Sequence, residues 1–184
     1  MPTAADIRLL ADYNAWMNQR IYQAASQPAA HAAAPRGAFF GSLLGTLNHI
    51  AVGDVLWLKR FATHPAGYSA LDPVLALPMP TGLDHPLHPD LAGLAGLRHE
   101  LDQAIIGWAS QVSDPDLDHV LAYTNTRGVA ARYPFGGLVL HFFNHQTHHR
   151  GQATTLLSQA GVDFGATDLL LRVNDTPPST ENSA

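Results

Sequence analysis

The sequence predicts an all-α protein, a four-helix bundle with a long crossover loop and a short excursion or hairpin before the last main helix. Four segments carry apolar residues at the three-and-four spacing of an amphipathic helix. A proline-rich stretch, residues 65–89, separates the second segment from the third. The length of 184 residues suits one compact core. We expect residues 1–172 to form this single domain and residues 173–184 to form a flexible tail.

The first two helices are predicted from their apolar stripes. Residues 6–27 form the first, and Asp6 is placed to cap it. Residues 39–64 form the second, with Phe39 at the start of its apolar stripe. The histidines at the ends of the following loop, His64 among them, are expected to be solvated.

The second half of the chain alternates helix and turn signals. Asp90 is placed to cap the third helix. Residues 113–134 then contain two short runs around Thr126-Arg127-Gly128, which predicts a hairpin. Pro134 suits the first turn of the fourth helix, which is expected to run to about Ala160.

The fourth helix contains four histidines within "HFFNHQTHHRGQ", residues 141–152. On a helical wheel with His141 at the origin, His149 falls at roughly 80°, inside the apolar stripe, and His145 at roughly 40°, at its margin. His141 and His148 fall at roughly 0° and −20°, toward the polar side. The pair His145 and His149, four residues apart, can therefore present two imidazoles to one metal ion.

A third ligand is expected from the second helix, where His49 lies between Gly45 and Gly53 at steps of four. Three buried imidazoles without charged partners would be costly, and a shared divalent ion would satisfy them. Three neutral nitrogen ligands favour zinc first and nickel second, one ion per chain, with a position left for water or substrate. A hydrogen-bonded histidine cluster without metal is the structural alternative.

Polar groups that could pair with the outer N–H of each ligand imidazole are also present. Asn14, Asp54, Gln146 and Gln152 are the candidates. Arg150 is directed about 100° away from the preceding histidine on the wheel and is expected to serve the surface or a partner.

Composition excludes several function classes. The net charge of −5 argues against nucleic-acid binding, and the chain has no apolar run long enough for a membrane helix. Cysteine is absent, so thiol chemistry would need an external thiol. Only two glutamates are present, too few for a carboxylate-bridged di-iron bundle. The first residues lack a signal-peptide pattern, so we expect a cytoplasmic protein.

Three segments resemble the DinB family of metal-binding bundles: "YNAWMNQRIY" at 13–22, "LLGTLNHIAVGDVLWLKRF" at 43–61 and "HFFNHQTHHRGQATTLLSQAG" at 141–161. The resemblance implies an up-down-down-up bundle and a homodimer. It also implies one divalent metal ion, bound by the residues that match its ligands, His49, His145 and His149. Its relatives with known chemistry are metal- and thiol-dependent, such as thiol transferases and a mycothiol-dependent maleylpyruvate isomerase.

The sequence and the resemblance are compatible with two functions. One is a metal-dependent S-transferase or isomerase that uses an external low-molecular-weight thiol on a small electrophile. Tyr123, Asn125, Arg127 and Tyr133 are candidates to line its pocket at the end of the bundle. The other is a non-catalytic metal-binding protein, a stress-response or sensor protein.

Overall fold

The computed structural model of the chain describes residues 1–173. Within this part the chain is mostly α-helical, with one two-stranded antiparallel sheet, so the all-α prediction is confirmed apart from the small sheet. The helices are α1 (Ala4–Ala25), α2 (Leu43–Phe61), α3 (Asp72–Ala76), α4 (Leu91–Gln111) and α5 (Phe135–Gln159), and the strands are β1 (Val120–Thr124) and β2 (Ala130–Pro134). Apart from Val173, the predicted tail lies outside the described residues.

The start of α1 differs from the prediction, because Thr3 and not Asp6 is its cap. The Thr3 hydroxyl accepts the Asp6 N–H at 3.2 Å, and the Asp6 carboxylate accepts the Thr3 N–H at 2.8 Å. Asp6 is therefore the third helical residue of a capping box, which satisfies two N–H groups at the helix start.

Helix α2 begins four residues later than predicted. The Ser42 hydroxyl caps it by accepting the Gly45 N–H at 3.0 Å. Gly41, with φ of 76°, turns the preceding chain away from the helix axis. Phe39 consequently lies outside the helix with 88% of its surface exposed, so its placement in the apolar stripe was wrong.

The crossover after α2 is partly structured, since a short 3₁₀ turn at Ser69–Leu71 leads into α3. Nζ of Lys59 ties this segment to α2 by donating to the carbonyls of Leu75 and Leu77. His64 is only 5% exposed and packs against Phe135, which contradicts the expectation of a solvated ring. The crossover folds back over the aromatic core there, so the His64 ring becomes part of the core.

The predictions for the second half of the chain are largely confirmed. Asp90 caps α4 through the Gly93 N–H at 2.8 Å. The hairpin turns at Gly128, which has a φ of 77°, between β1 and β2. Helix α5 begins at Phe135, directly after Pro134, and its C-cap is Ala160.

The four long helices pack around one core. Helix α1 packs against α4 and α5, and α2 packs against α5 and α4. The largest side chains that are fully buried in this core include Phe61, Trp108, Phe135 and Phe142. Burying each such side chain contributes on the order of 1.5–3 kcal/mol. None of the helices in residues 1–173 is long and apolar enough to cross a membrane.

A network of buried polar and charged side chains also links the four long helices. Arg98 of α4 bridges Asp54 of α2 and Asp102 of its own helix. Asp102 accepts from Asn14 and Asn18 of α1, Asp54 accepts from Gln146 of α5, and Arg150 of α5 donates to Asn14. Two arginines and two aspartates balance in charge, as buried charges require.

Candidate metal centre

The structure brings His49, His145 and His149 together between α2 and α5. Nε2 of His49 lies 3.2 Å from Nε2 of His145 and 3.1 Å from Nε2 of His149. One ligand atom from each residue lies within 4.8 Å of the other two. Such a cluster could hold a metal ion, and it unites the three residues selected from the sequence.

Helices α2 and α5 pack antiparallel, and this packing brings the three histidines together. Residues further along α2 contact residues earlier in α5: His49 contacts His149, Gly53 contacts His145 and Trp57 contacts His141. The four-residue spacing on each helix keeps these contacts on one face.

Gly53 leaves the space that the His145 ring needs. A Cβ atom at this position would lie 2.7 Å from Cε1 of His145, which is closer than real contacts allow. Gly45 has another reason to be glycine, because a Cβ there would lie 2.1 Å from the carbonyl oxygen of Phe40. The glycine spacing thus indicated one close approach to the neighbouring helix, not two.

The outer ring nitrogens of two histidines are held by oxygen acceptors. Nδ1 of His49 donates to the carbonyl of Leu83 at 2.7 Å, and Nδ1 of His149 donates to Oε1 of Gln152 at 2.9 Å. Since a neutral imidazole carries one proton, this pairing leaves a lone pair on each Nε2.

The lone pairs on Nε2 of His49 and His149 make the site suitable for a metal ion. Two nitrogen acceptors about 3.1 Å apart repel each other unless a proton or a cation lies between them. A divalent ion would satisfy these nitrogens at once, and neutral imidazole is the form that binds zinc or nickel. The donor set therefore fits the predicted ion.

Burial lowers the pKa of all three clustered imidazoles and so favours their neutral forms. It lowers the pKa of His49 and that of His149, although Gln152 opposes the shift at His149. Burial, followed by the neighbouring histidines, lowers the pKa of His145 to about 3.

Only one of the four predicted partners of the ligand rings is confirmed. Gln152 accepts from His149, as the sequence suggested. The other three predictions are wrong, because Asn14, Asp54 and Gln146 belong to the buried polar network. Arg150 was expected at the surface but is 4% exposed.

His141 and His148 lie at the periphery of the cluster, as the wheel predicted. His148 is exposed, and its Nε2 lies 3.4 Å from the amide nitrogen of Gln152. His141 packs against Trp57, with ring centroids 5.1 Å apart. Neither belongs to the set of converging ligand atoms.

Two contacts of His49 were not anticipated from the sequence. The ring of Phe40 stacks on His49 with centroids 3.9 Å apart. The carbonyl that holds Nδ1 belongs to Leu83, in the proline-rich crossover. The two adjacent phenylalanines before Gly41 were a sequence signal for an aromatic ring packed on the site. A backbone carbonyl can come from any residue, so the role of Leu83 leaves no signal in the sequence.

Three cavities lie around this centre. Tyr123 and Asn125 line a cavity of about 430 Å³, and Tyr133 lies with His141 on another of about 390 Å³. Arg127, the fourth residue predicted for a pocket, lines neither. A third cavity, of about 490 Å³, is lined by Phe40 and by Asp84, a carboxylate that sequence reasoning did not select.

The chain matches the DinB family over residues 1–181. The protein belongs to the DinB family. No curated protein and no solved structure matches it significantly. The histidine cluster of this DinB protein is compatible with metal binding.

Proposed function

We propose that this DinB protein binds one divalent ion, zinc or nickel, through His49, His145 and His149. The observation that carries the proposal is the convergence of three Nε2 atoms, with His49 in contact with both partners at 3.1–3.2 Å. Nitrogen-only ligands suit both ions, and nickel binds such ligands more tightly than most divalent metals.

We further propose that the protein is an S-transferase or isomerase that uses an external low-molecular-weight thiol as the nucleophile toward a small electrophile; a transferase leaves the thiol bound in the product, and an isomerase releases it again. A bound divalent ion supplies the activation, because it lowers the pKa of a thiol or water that it contacts. The thiol must come from outside, since the chain contains no cysteine. The converging ligand set contains no carboxylate, which favours thiol chemistry over hydrolysis assisted by a glutamate base.

The protein's own residues hold and shield the reaction site in this proposal. Leu83 and Gln152 fix the orientation of two ligand rings. The Phe40 ring covers one face of His49 and excludes water there. The cavity beside Phe40 and Asp84 offers an approach for a small molecule.

We also infer an up-down-down-up order for the long helices. The N–H of Ala4 at the start of α1 donates to Asp114 just after α4, which supports antiparallel α1 and α4. Arg20 in the second half of α1 donates to the carbonyl of Phe164, which follows α5, and this supports parallel α1 and α5. With α2 antiparallel to α5, the order follows. A homodimer formed along helix faces remains part of the proposal, and sedimentation tests it.

Metal content is the first test of this function. Elemental analysis of protein purified without an affinity tag should find one zinc or nickel ion per chain. His145→Ala should lose the ion, whereas His148→Ala, a matched change three residues away on the same helix, should keep it. Metal-free protein that rebinds neither ion would refute the proposal.

Turnover is the second test. The metal-loaded protein should conjugate an added thiol to a small activated aryl halide, and His49→Ala should abolish this activity with its helical circular dichroism retained. Turnover of an ester without added thiol would instead indicate hydrolysis.

The cover of His49 by Phe40 favours a second candidate, a metal-binding stress-response or sensor protein without turnover, because this ring limits access to the centre. Full metal occupancy without conjugation of any thiol and electrophile pair would select this candidate.

A further inference from the structure

The 430 Å³ cavity lies between the end of α2, residues 79–83 of the crossover and residues 122–126 of the hairpin. Its lining includes Lys59 and Arg60, and none of the residues 1–173 that line it is an aspartate or a glutamate. The whole chain has a net charge of −5, and Lys59 is its only lysine. The cavity is therefore a cationic site on an acidic protein.

Arg60 is held in place in this cavity by aromatic rings. Its guanidinium carbon lies 4.6 Å from the centroid of Trp57 and 4.7 Å from that of Tyr123. Such contacts fix a guanidinium without satisfying its N–H donors. In the described part of the chain Arg60 forms no salt bridge, whereas Arg98 and Arg172 both pair with aspartates.

Lys59 is likewise without an anionic partner in residues 1–173. Its ammonium donates to two backbone carbonyls, at 2.9 and 2.6 Å. Burial lowers the pKa of Lys59 and of Arg60, and the neighbouring Tyr123 opposes the shift at Arg60. The two cations are thus partly desolvated without an internal counter-charge.

The rest of the lining suits a small organic molecule with one anionic end. The hydroxyl of Thr124 supplies a further hydrogen-bond donor, whereas the Thr63 hydroxyl donates to the carbonyl of Arg60 and the Thr81 hydroxyl bonds to His85. Leu56 and Met79 supply apolar surface next to them. A cavity of this size that combines apolar walls with a few polar groups is typical of small-molecule sites.

The cavity also adjoins the histidine cluster. Leu83 lines the cavity, and its carbonyl accepts the hydrogen bond from Nδ1 of His49. Trp57, which supports Arg60, also contacts His141, whose ring lies 6.1 Å from that of His145. A molecule in the cavity would therefore lie next to residues that contact the candidate metal ligands.

We propose that this cavity binds the carboxylate or phosphate group of a small organic anion, with Arg60 and Lys59 as its counter-charges. Arg60 offers the planar donor pair that matches such oxyanions. The assignment of this anion as a substrate of the protein rests on the proposed function, but its binding does not.

Calorimetric titration with benzoate and phenyl phosphate tests the proposal, with benzamide as the neutral counterpart. The wild-type protein should bind one or both anions, and much more weakly the amide, with an affinity that falls as salt is added. Arg60→Gln should weaken anion binding roughly tenfold or more, as expected for the loss of a charge-assisted hydrogen bond. Arg8→Gln removes the same charge from an exposed position on α1 and should leave binding unchanged.

Amide chemical-shift mapping on the wild-type protein locates the bound anion independently of any variant. Shifts should concentrate at residues 122–126. No anion binding at 20 mM probe, equal binding of benzamide, or shifts confined to other regions would overturn the proposal.

Both titrations are repeated after removal of metal by a chelator. Anion binding that persists in a protein unable to rebind zinc or nickel would refute the metal centre and leave this inference intact. Normal metal binding without anion binding would refute this inference and leave the proposed metal centre intact.

Discussion

Gln152 should control metal affinity although it does not belong to the converging ligand set. Its Oε1 lies 2.9 Å from Nδ1 of His149, and that hydrogen bond keeps the lone pair on the Nε2 side. Gln152→Ala removes the acceptor and frees the ring to rotate or change tautomer. Loss of such a partner lowers metal affinity about 10- to 100-fold. Because Gln152 is partly exposed, water can replace part of the bond, so we expect about tenfold, or about 1.4 kcal/mol.

Competition with a chromophoric chelator at fixed pH measures this effect for zinc and for nickel. Gln152→Glu keeps an oxygen acceptor at the same position and should retain at least wild-type affinity. Gln159→Ala, an exposed glutamine later in α5, controls for the loss of an amide from the helix. Wild-type affinity in Gln152→Ala, or equal losses in the alanine and glutamate variants, would refute the reasoning.

Three further predictions concern the space beside His145, the buried charge network and the pH dependence of stability. Gly53→Ala should lower metal affinity at least tenfold without unfolding the protein, because its Cβ would displace the His145 ring. The control Gly96→Ala places its Cβ in open space and should keep wild-type metal affinity, and chelator competition measures both variants. Asp54→Asn should lower the free energy of unfolding in urea by about 3 kcal/mol, since it leaves a buried arginine charge poorly compensated; a loss below about 1 kcal/mol would contradict this. Burial lowers the pKa of His64, so the unfolded chain takes up this proton at a higher pH than the folded chain, and the free energy of unfolding should fall as the pH drops below about 6.5. His64→Gln should make that fall smaller in urea titrations at pH 7.5 and 5 without abolishing it, because burial also lowers the pKa of the three clustered histidines.

The three clustered histidines could be selected from the sequence because each lies in a recognisable local pattern. The need of three buried imidazoles for a shared partner then connected the two helices. The four-residue spacing of His145 and His149 fixes their common face on any regular helix. His49 was selected because a glycine lies four positions before it and another four positions after it, and the close approach of His145 requires the second of these, Gly53.

The surroundings of the cluster could not be predicted in the same way. The carbonyl of Leu83 reaches His49 only because the crossover folds back over α2, and the side chain of Leu83 carries no trace of this role. Phe40 was assigned to the wrong element, since the cap at Ser42 was outweighed by the apolar pattern.

Arg150 shows a different limit of single-helix reasoning. A charged residue on a wheel is assigned to the surface unless its partner is known. Its partner, Asn14, lies 136 positions earlier in the chain, on α1. The balance of charge in a buried network is a property of four helices together, and no segment read alone contains it.

The buried network and the histidine cluster lie on different faces of the same helices, and one sets the register of the other. On α2, Gly53 meets His145 while the next residue, Asp54, accepts from Gln146 at 2.8 Å. Gln146 itself follows His145, so both contacts require the same alignment of α2 against α5. A shift by one residue, about 1.5 Å along either helix, would break the buried hydrogen bond and close the space for the ring. Arg98 and the other network residues stabilise that alignment through contacts that do not involve the three histidines. The ion should then add stability through binding to the folded state without being the sole support of the fold.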